Sequence, residues 1–155
     1  EAGKAIIPFG VGFIVMSLCS SILSKYLKEA LLSVGLMLYM LGFILLMITL
    51  YQYHPVVFKV NLFVIGCGMG LTLASVVRLS LSNIPIQFAG LASGAVNCGL
   101  QIGSAFGVAA LGSVFFALTE IKNYTFAFAF VLGLICMLLL IAFYLSLRMG
   151  NGRGE

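Results

Sequence analysis

The stretch "YTFAFAFVLGLICMLLLIAFYLSLR", residues 124 to 148, carries no charge before its final arginine. About 20 consecutive apolar residues cross roughly 30 Å of hydrocarbon at about 1.5 Å per residue, so this run is long enough to span a bilayer. Four more runs of the same character precede it, at 5–23, 31–51, 59–83 and 90–118, joined by the short connections "SKYLKEA", "YQYHPVVFK", "SNIPIQF" and "TEIKN". No water is present in the bilayer core to bond an exposed backbone, and the runs lack the alternation of barrel strands, so they are read as helices. The expected fold class is all-α, a polytopic membrane helical bundle of about five transmembrane helices over 1–149. The tail "GNGRGE", 150–155, is expected to be a disordered cytoplasmic end.

Composition agrees with a membrane setting. Of 155 residues, 63% are hydrophobic and 8% charged, with no Asp and no Trp, and the mean hydropathy is +1.23. The net charge of +4 comes from Lys and Arg at the ends of apolar runs, where loop anchors sit, so no nucleic-acid partner is expected. Placing "SKYLKEA" in the cytoplasm collects Lys25, Lys28, Arg148 and Arg153 on that side, with Arg78 nearest to it, against Lys4, Lys59 and Lys122 opposite. That asymmetry predicts a cytoplasmic C-terminus. Pro8 falls in the opening turns of the first helix, Pro55 in the second loop and Pro85 just beyond the third helix. The chain opens on Glu1 without a signal-peptide pattern, and five helices leave the N-terminus outside, so it reads as a piece of something longer.

Most enzymatic constellations fail on inventory, and the expectation is no enzyme, no cofactor and no metal. Without Asp there is neither an aspartyl protease pair nor a Ser/His/Asp triad. A Ser/His dyad would want G-x-S-G, but "LASG" has Leu91 at the first position, and His54 lies in a loop. The glycines of "GCGMG", 66–70, sit inside a spanning run with no strand before them and read as helix-packing glycines, not as a dinucleotide fingerprint. Cys19, Cys67, Cys98 and Cys136 occupy four different runs with no C-x-x-C, and are expected to be buried thiols acting as small apolar residues. Glu29 and Glu120 sit at membrane boundaries and Glu1 and Glu155 at the ends, so a proton-coupling carboxylate would have to lie elsewhere.

The run 90–118 is different, because glycines and amides interrupt it. On a helix Ser93, Asn97, Gln101 and Ser104 fall at i, i+4, i+8 and i+11 and share one polar stripe. Gly99, Gly103 and Gly107 form a second stripe roughly opposite, a doubled small-xxx-small pattern, and Gly90 and Gly94 repeat that spacing. The glycines, with Gly66 and Gly70, are expected to let helices pack closely. For the polar stripe two readings stand: it lines a water- or substrate-filled path, or its amides bond neighbouring helices as structural glue. Arg78 either snorkels to the interface or faces the bundle to hold an anionic partner or gate residue. The 7 Met and 13 Phe suit an adaptable apolar pocket or a lipid-facing surface.

From Val64 to Phe115 the order and spacing of these residues resemble the major facilitator superfamily, most closely its 14-helix drug:proton antiporter branch, the EmrB/QacA-type multidrug exporters. There a helix with glycines spaced like Gly66, Gly68 and Gly70 precedes a short cytoplasmic loop, "G-L-A-S-G", an Asn and "Q-x-G-x-x-x-G-x-A", matched here by Gly90 to Gly94, Asn97, Gln101, Gly103, Gly107 and Ala109. The resemblance implies the last five helices of the C-terminal six-helix half of a secondary transporter in the bacterial inner membrane, working by alternating access. It implies a small amphipathic or cationic organic substrate, with protons coupled through the N-terminal half, and contact with the lipid bilayer. The latch loop of the superfamily, G-x-L-x-D-R-x-G-R, is not matched by "SSILSKYLKEALLSVG", which keeps Lys25 and Lys28 but lacks the Asp and both glycines. A nutrient or metabolite permease of the same superfamily, and a membrane module that binds a partner and transports nothing, are the alternatives.

Overall fold

Pro55 opens a helix at the first helical position, where its missing N–H has no carbonyl to meet, and Phe58 N–H donates to His54 O at 3.0 Å to close the first turn. That helix is one of five in a computed structural model that describes residues 2–27, 30–49, 54–121 and 123–151. They are α1 (Ala2–Leu27), α2 (Ala30–Thr49), α3 (Pro55–Leu81), α4 (Ala89–Ile121) and α5 (Tyr124–Asn151), with a single 3₁₀ turn, Ile86–Phe88, before α4. The described residues contain no strand, and all five helices are long and apolar enough to cross a membrane.

Helices α1, α4 and α5 overrun their apolar runs, because polar residues at a membrane boundary continue a helix as readily as they end it, whereas α3 starts before its run and stops at Leu81, two residues short of its end. Thus α1 begins at Ala2 and Pro8 lies inside it. Pro85 is extended, at φ −58° and ψ 142°, and its carbonyl accepts from Phe88 N–H at 2.9 Å to turn the chain into α4. Asn123 O takes the N–H groups of Phe126 and Ala127 at the start of α5. Helix α5 runs on to Asn151, two residues into the stretch expected to be a disordered tail. Residues 152–155 lie outside the described residues, as do Glu1, Lys28, Glu29 and Lys122.

The chain forms two compact units, one of Glu1–Ser75 with Leu132–Glu155 and one of Val76–Val131. The first is built on glycine contacts along α3. A methyl on Gly35 would meet Thr72 N at 2.9 Å, one on Gly42 would meet Ile65 Cγ1 at 2.6 Å, and one on Gly68 would run into the backbone of Tyr39. Each step forward along α2 is matched by an equal step back along α3, so the two helices are antiparallel. Toward α1, Gly66 lies on the carbonyl of Phe9 and Gly70 on that of Phe13, where a methyl would stand 2.6 Å away. Here the steps run the same way, and α1 and α3 are parallel.

The rest of the first unit closes around this seam. Leu31 and Leu71 are 0% and 1% exposed, and Leu46, Ile65 and Leu132 form a buried cluster lined by Phe9, Tyr39, Phe43, Met47 and Phe58. Because lipid is as apolar as leucine, such contacts hold helices by close van der Waals fit and not by expulsion of water. The second unit holds the end of α3, the Pro85 turn, all of α4 and the first two turns of α5, with ring contacts between Phe115 and Phe116 and between Phe126 and Phe130.

Candidate functional site

Helix α4 carries the polar stripe, and none of its 33 residues is buried. At about 1.5 Å per residue it is about 50 Å long, more than the hydrocarbon thickness. Its serines turn inward on their own helix: Ser93 Oγ donates to Gly90 O at 2.9 Å and Ser104 Oγ to Gln101 O at 2.9 Å. Each hydroxyl thus keeps only acceptor capacity for anything beside it. Asn97 and Gln101 are exposed, one turn apart on the same face, and neither amide has a hydrogen-bond partner among the described residues. Each offers two N–H donors and a carbonyl acceptor without charge, which suits a solute that presents either polarity.

The expected packing glycines fall into two groups. Gly66 and Gly70 lie against the backbone of α1 as described above, whereas methyls on Gly90, Gly94, Gly99, Gly103 and Gly107 would meet nothing within 4 Å. Arg78 lies in the last turn of α3, partly buried, where the helix carbonyls favour a cation. The thiols are all free, but they are not uniformly buried as expected. Cys67 is buried against Gly12, Cys19 and Cys136 are half-buried, and Cys98 is exposed because it sits on α4. Among the described residues no three of His, Cys, Asp and Glu gather as metal ligands would, and Glu120, exposed near the end of α4, is the sole carboxylate.

Sequence reasoning passed over the polar residues that the first unit uses internally. Asn61 is 2% exposed, and its Nδ2 donates to Thr49 Oγ1 at 2.6 Å, while the Thr49 hydroxyl donates to Leu45 O at 2.7 Å. Ser33 and Ser146 share a hydrogen bond of 3.0 Å between their hydroxyls, joining α2 to α5. Ser75 is wholly buried and its hydroxyl has no partner. One signal was available: Asn61, Gly68, Thr72 and Ser75 recur at helical spacing along α3, with Ile65 between them, and mark the stripe that meets α2.

No family model matches the chain, and no solved structure does. Over 113 residues, 72% of its length, the chain is 30% identical to the multidrug resistance protein Stp of Mycobacterium tuberculosis, in strain CDC 1551 / Oshkosh and equally in strain ATCC 25618 / H37Rv. The match covers 21% of each relative. The chain therefore spans about a fifth of the length of the curated relatives it matches, and what it is similar to is one portion of a multidrug resistance protein.

Proposed function

We propose that the chain is part of a secondary active efflux transporter of the major facilitator type, its five helices belonging to the C-terminal half. It works by alternating access in a bacterial inner membrane with its C-terminus cytoplasmic. The cargo is a small amphipathic or cationic organic compound, in keeping with the name of the relatives. Export is driven by protons that move through carboxylates outside this chain, and Arg78 reaches from the end of α3 to the cytoplasmic interface. The observation that carries the reading is the pair of exposed, unpartnered amides of Asn97 and Gln101 on a helix long enough to cross the bilayer. Among the described residues of this chain neither amide is used to hold one helix to another, which leaves both for a solute or for a helix outside the chain.

Dye efflux and drug sensitivity of the full-length protein test this. Gln101→Ala and Asn97→Ala each remove one solute contact, of about 1 kcal/mol, so efflux efficiency should fall about fivefold while the amount of folded protein stays unchanged. Undiminished efflux in both variants would sink the assignment of this face. The second reading, a module that transports nothing and docks a partner helix, is favoured by the open glycines of α4. It predicts no efflux at all, and a loss of partner binding in Gly103→Leu.

A further inference from the structure

We propose that the turn between α3 and α4 is embedded in the headgroup layer of the phospholipid bilayer, with Ile86, Phe88 and Leu91 reaching the acyl chains, and that it anchors that end of α4. Contact with lipid needs no transport activity. Only the identity of the leaflet, the cytoplasmic one, rests on the orientation proposed above.

The turn differs from the other three connections in what it exposes. "SKYLKEA", "YQYHPVVFK" and "TEIKN" each carry charged side chains, whereas "SNIPIQF" carries none, and no Asp, Glu, Lys, Arg or His occurs from Leu79 to Thr119. Large apolar side chains nevertheless point outward here: Ile86 is 94% exposed, Leu91 79% and Phe88 52%. Neighbouring apolar side chains left open in this way mark a surface that meets something apolar. Asn83 and Gln87, exposed between them, are neutral and able to bond headgroup oxygens and water.

The backbone of the turn suits a place with little water. Ile84 N–H donates to Leu81 O at 3.3 Å, Phe88 N–H to Pro85 O at 2.9 Å and Ala89 N–H to Ile86 O, and Pro85 has no N–H to satisfy. Donors left open there would make entry into the membrane costly.

Length sets the depth. A carboxylate in hydrocarbon is costly, so Glu120, the next charged residue along α4, lies no deeper than the headgroups of the opposite leaflet. From Ala89 to Glu120 the helix rises about 47 Å, or about 44 Å along the bilayer normal at a tilt of about 20°. One headgroup layer is about 40–45 Å from the other, so the turn reaches the headgroups on its own side and does not stand clear of them. The apolar stretch able to span the membrane runs Ile86–Ile121, so the surface of the turn continues the exposed apolar surface of α4.

A nitroxide spin label tests the placement. In the full-length protein with its native cysteines replaced by alanine, Ile86→Cys is labelled and reconstituted in vesicles of phosphatidylethanolamine and phosphatidylglycerol. Collisions of the label with oxygen, which concentrates among acyl chains, are compared with collisions with a water-soluble nickel chelate. The expected result is an excess of oxygen collisions that puts the label about 5–10 Å below the phosphates. Phe88→Cys repeats the measurement should the first variant fail to fold. An excess of nickel collisions puts the turn in water, and weak collision with both reagents puts it beneath another part of the protein; either result overturns the proposal. The label reports its depth whether or not the protein exports dye, so a failure of the proposed function is seen separately.

Discussion

Gly66, Gly68 and Gly70 of α3 and Gly99, Gly103 and Gly107 of α4 belong to two helices of similar length and composition, yet they meet opposite surroundings. Those of α3 lie on the backbones of α1 and α2 with no room for a methyl, while those of α4 face space that a methyl would enter freely. A small-xxx-small pattern therefore announces that a helix can be approached closely, and leaves open whether anything within the same chain does so. The polar side chains divide the same way. Asn61 of α3 is buried and bonded to Thr49; Asn97 of α4 is exposed and unbonded. In α3 glycine and amide hold the first unit together, and in α4 both are exposed.

Substitution can break this contrast, most severely at Gly68. Gly68→Leu drives a large side chain into the backbone of Tyr39, beyond what rotamer changes absorb, and should cost more than about 3 kcal/mol. Little folded protein should be recovered by size-exclusion chromatography in detergent, whereas Gly103→Leu should be recovered like the wild type. Equal losses in the two variants would erase the distinction. At Gly66, a single methyl meets the Phe9 carbonyl, so Gly66→Ala should destabilise by about 1–3 kcal/mol, read as a lower thermal midpoint.

A smaller effect sharpens the comparison of amides. Asn61→Ala removes one partner of the Thr49 bond and should lower stability by about 1 kcal/mol, with Thr49→Val costing a similar amount. Because they share one bond, the double variant should cost less than the sum of the two, and strict additivity would show the bond to be energetically silent. Asn97→Ala should leave stability untouched. Smallest of all, Gly103→Ala should raise stability by up to about 1 kcal/mol, since it gains helix propensity and meets no neighbour. A loss there would reveal a contact on that face.

The five helices were legible because the length of an uncharged run is a direct measure of membrane thickness, and nothing in the tertiary structure has to be known to read it. Their ends were less so, and α1 and α5 extend beyond the runs that marked them, since the interface tolerates helix and loop alike. Within the helices, phase alone sorted the residues of α4 into a polar and a glycine stripe. It could not separate Gly66 from Gly103, because which stripe meets a neighbour is decided by the partner helix and not by the stripe. Asn61 escaped notice for a related reason: one amide near Lys59 at the edge of a run looks like a boundary residue until Thr49 is set opposite it.

The close glycine contacts between α2 and α3 have a consequence for how this chain can vary over time. One residue inserted in α2 between Gly35 and Gly42 would turn everything beyond it by about 100°, carrying Gly42 away from Ile65 and Thr49 away from Asn61 in a single event. The first unit should accept many changes of side chain away from its glycines but almost no change of length within α2 or α3. Lineages of this sequence should differ by substitution there, and by insertion or deletion only in the turns between helices.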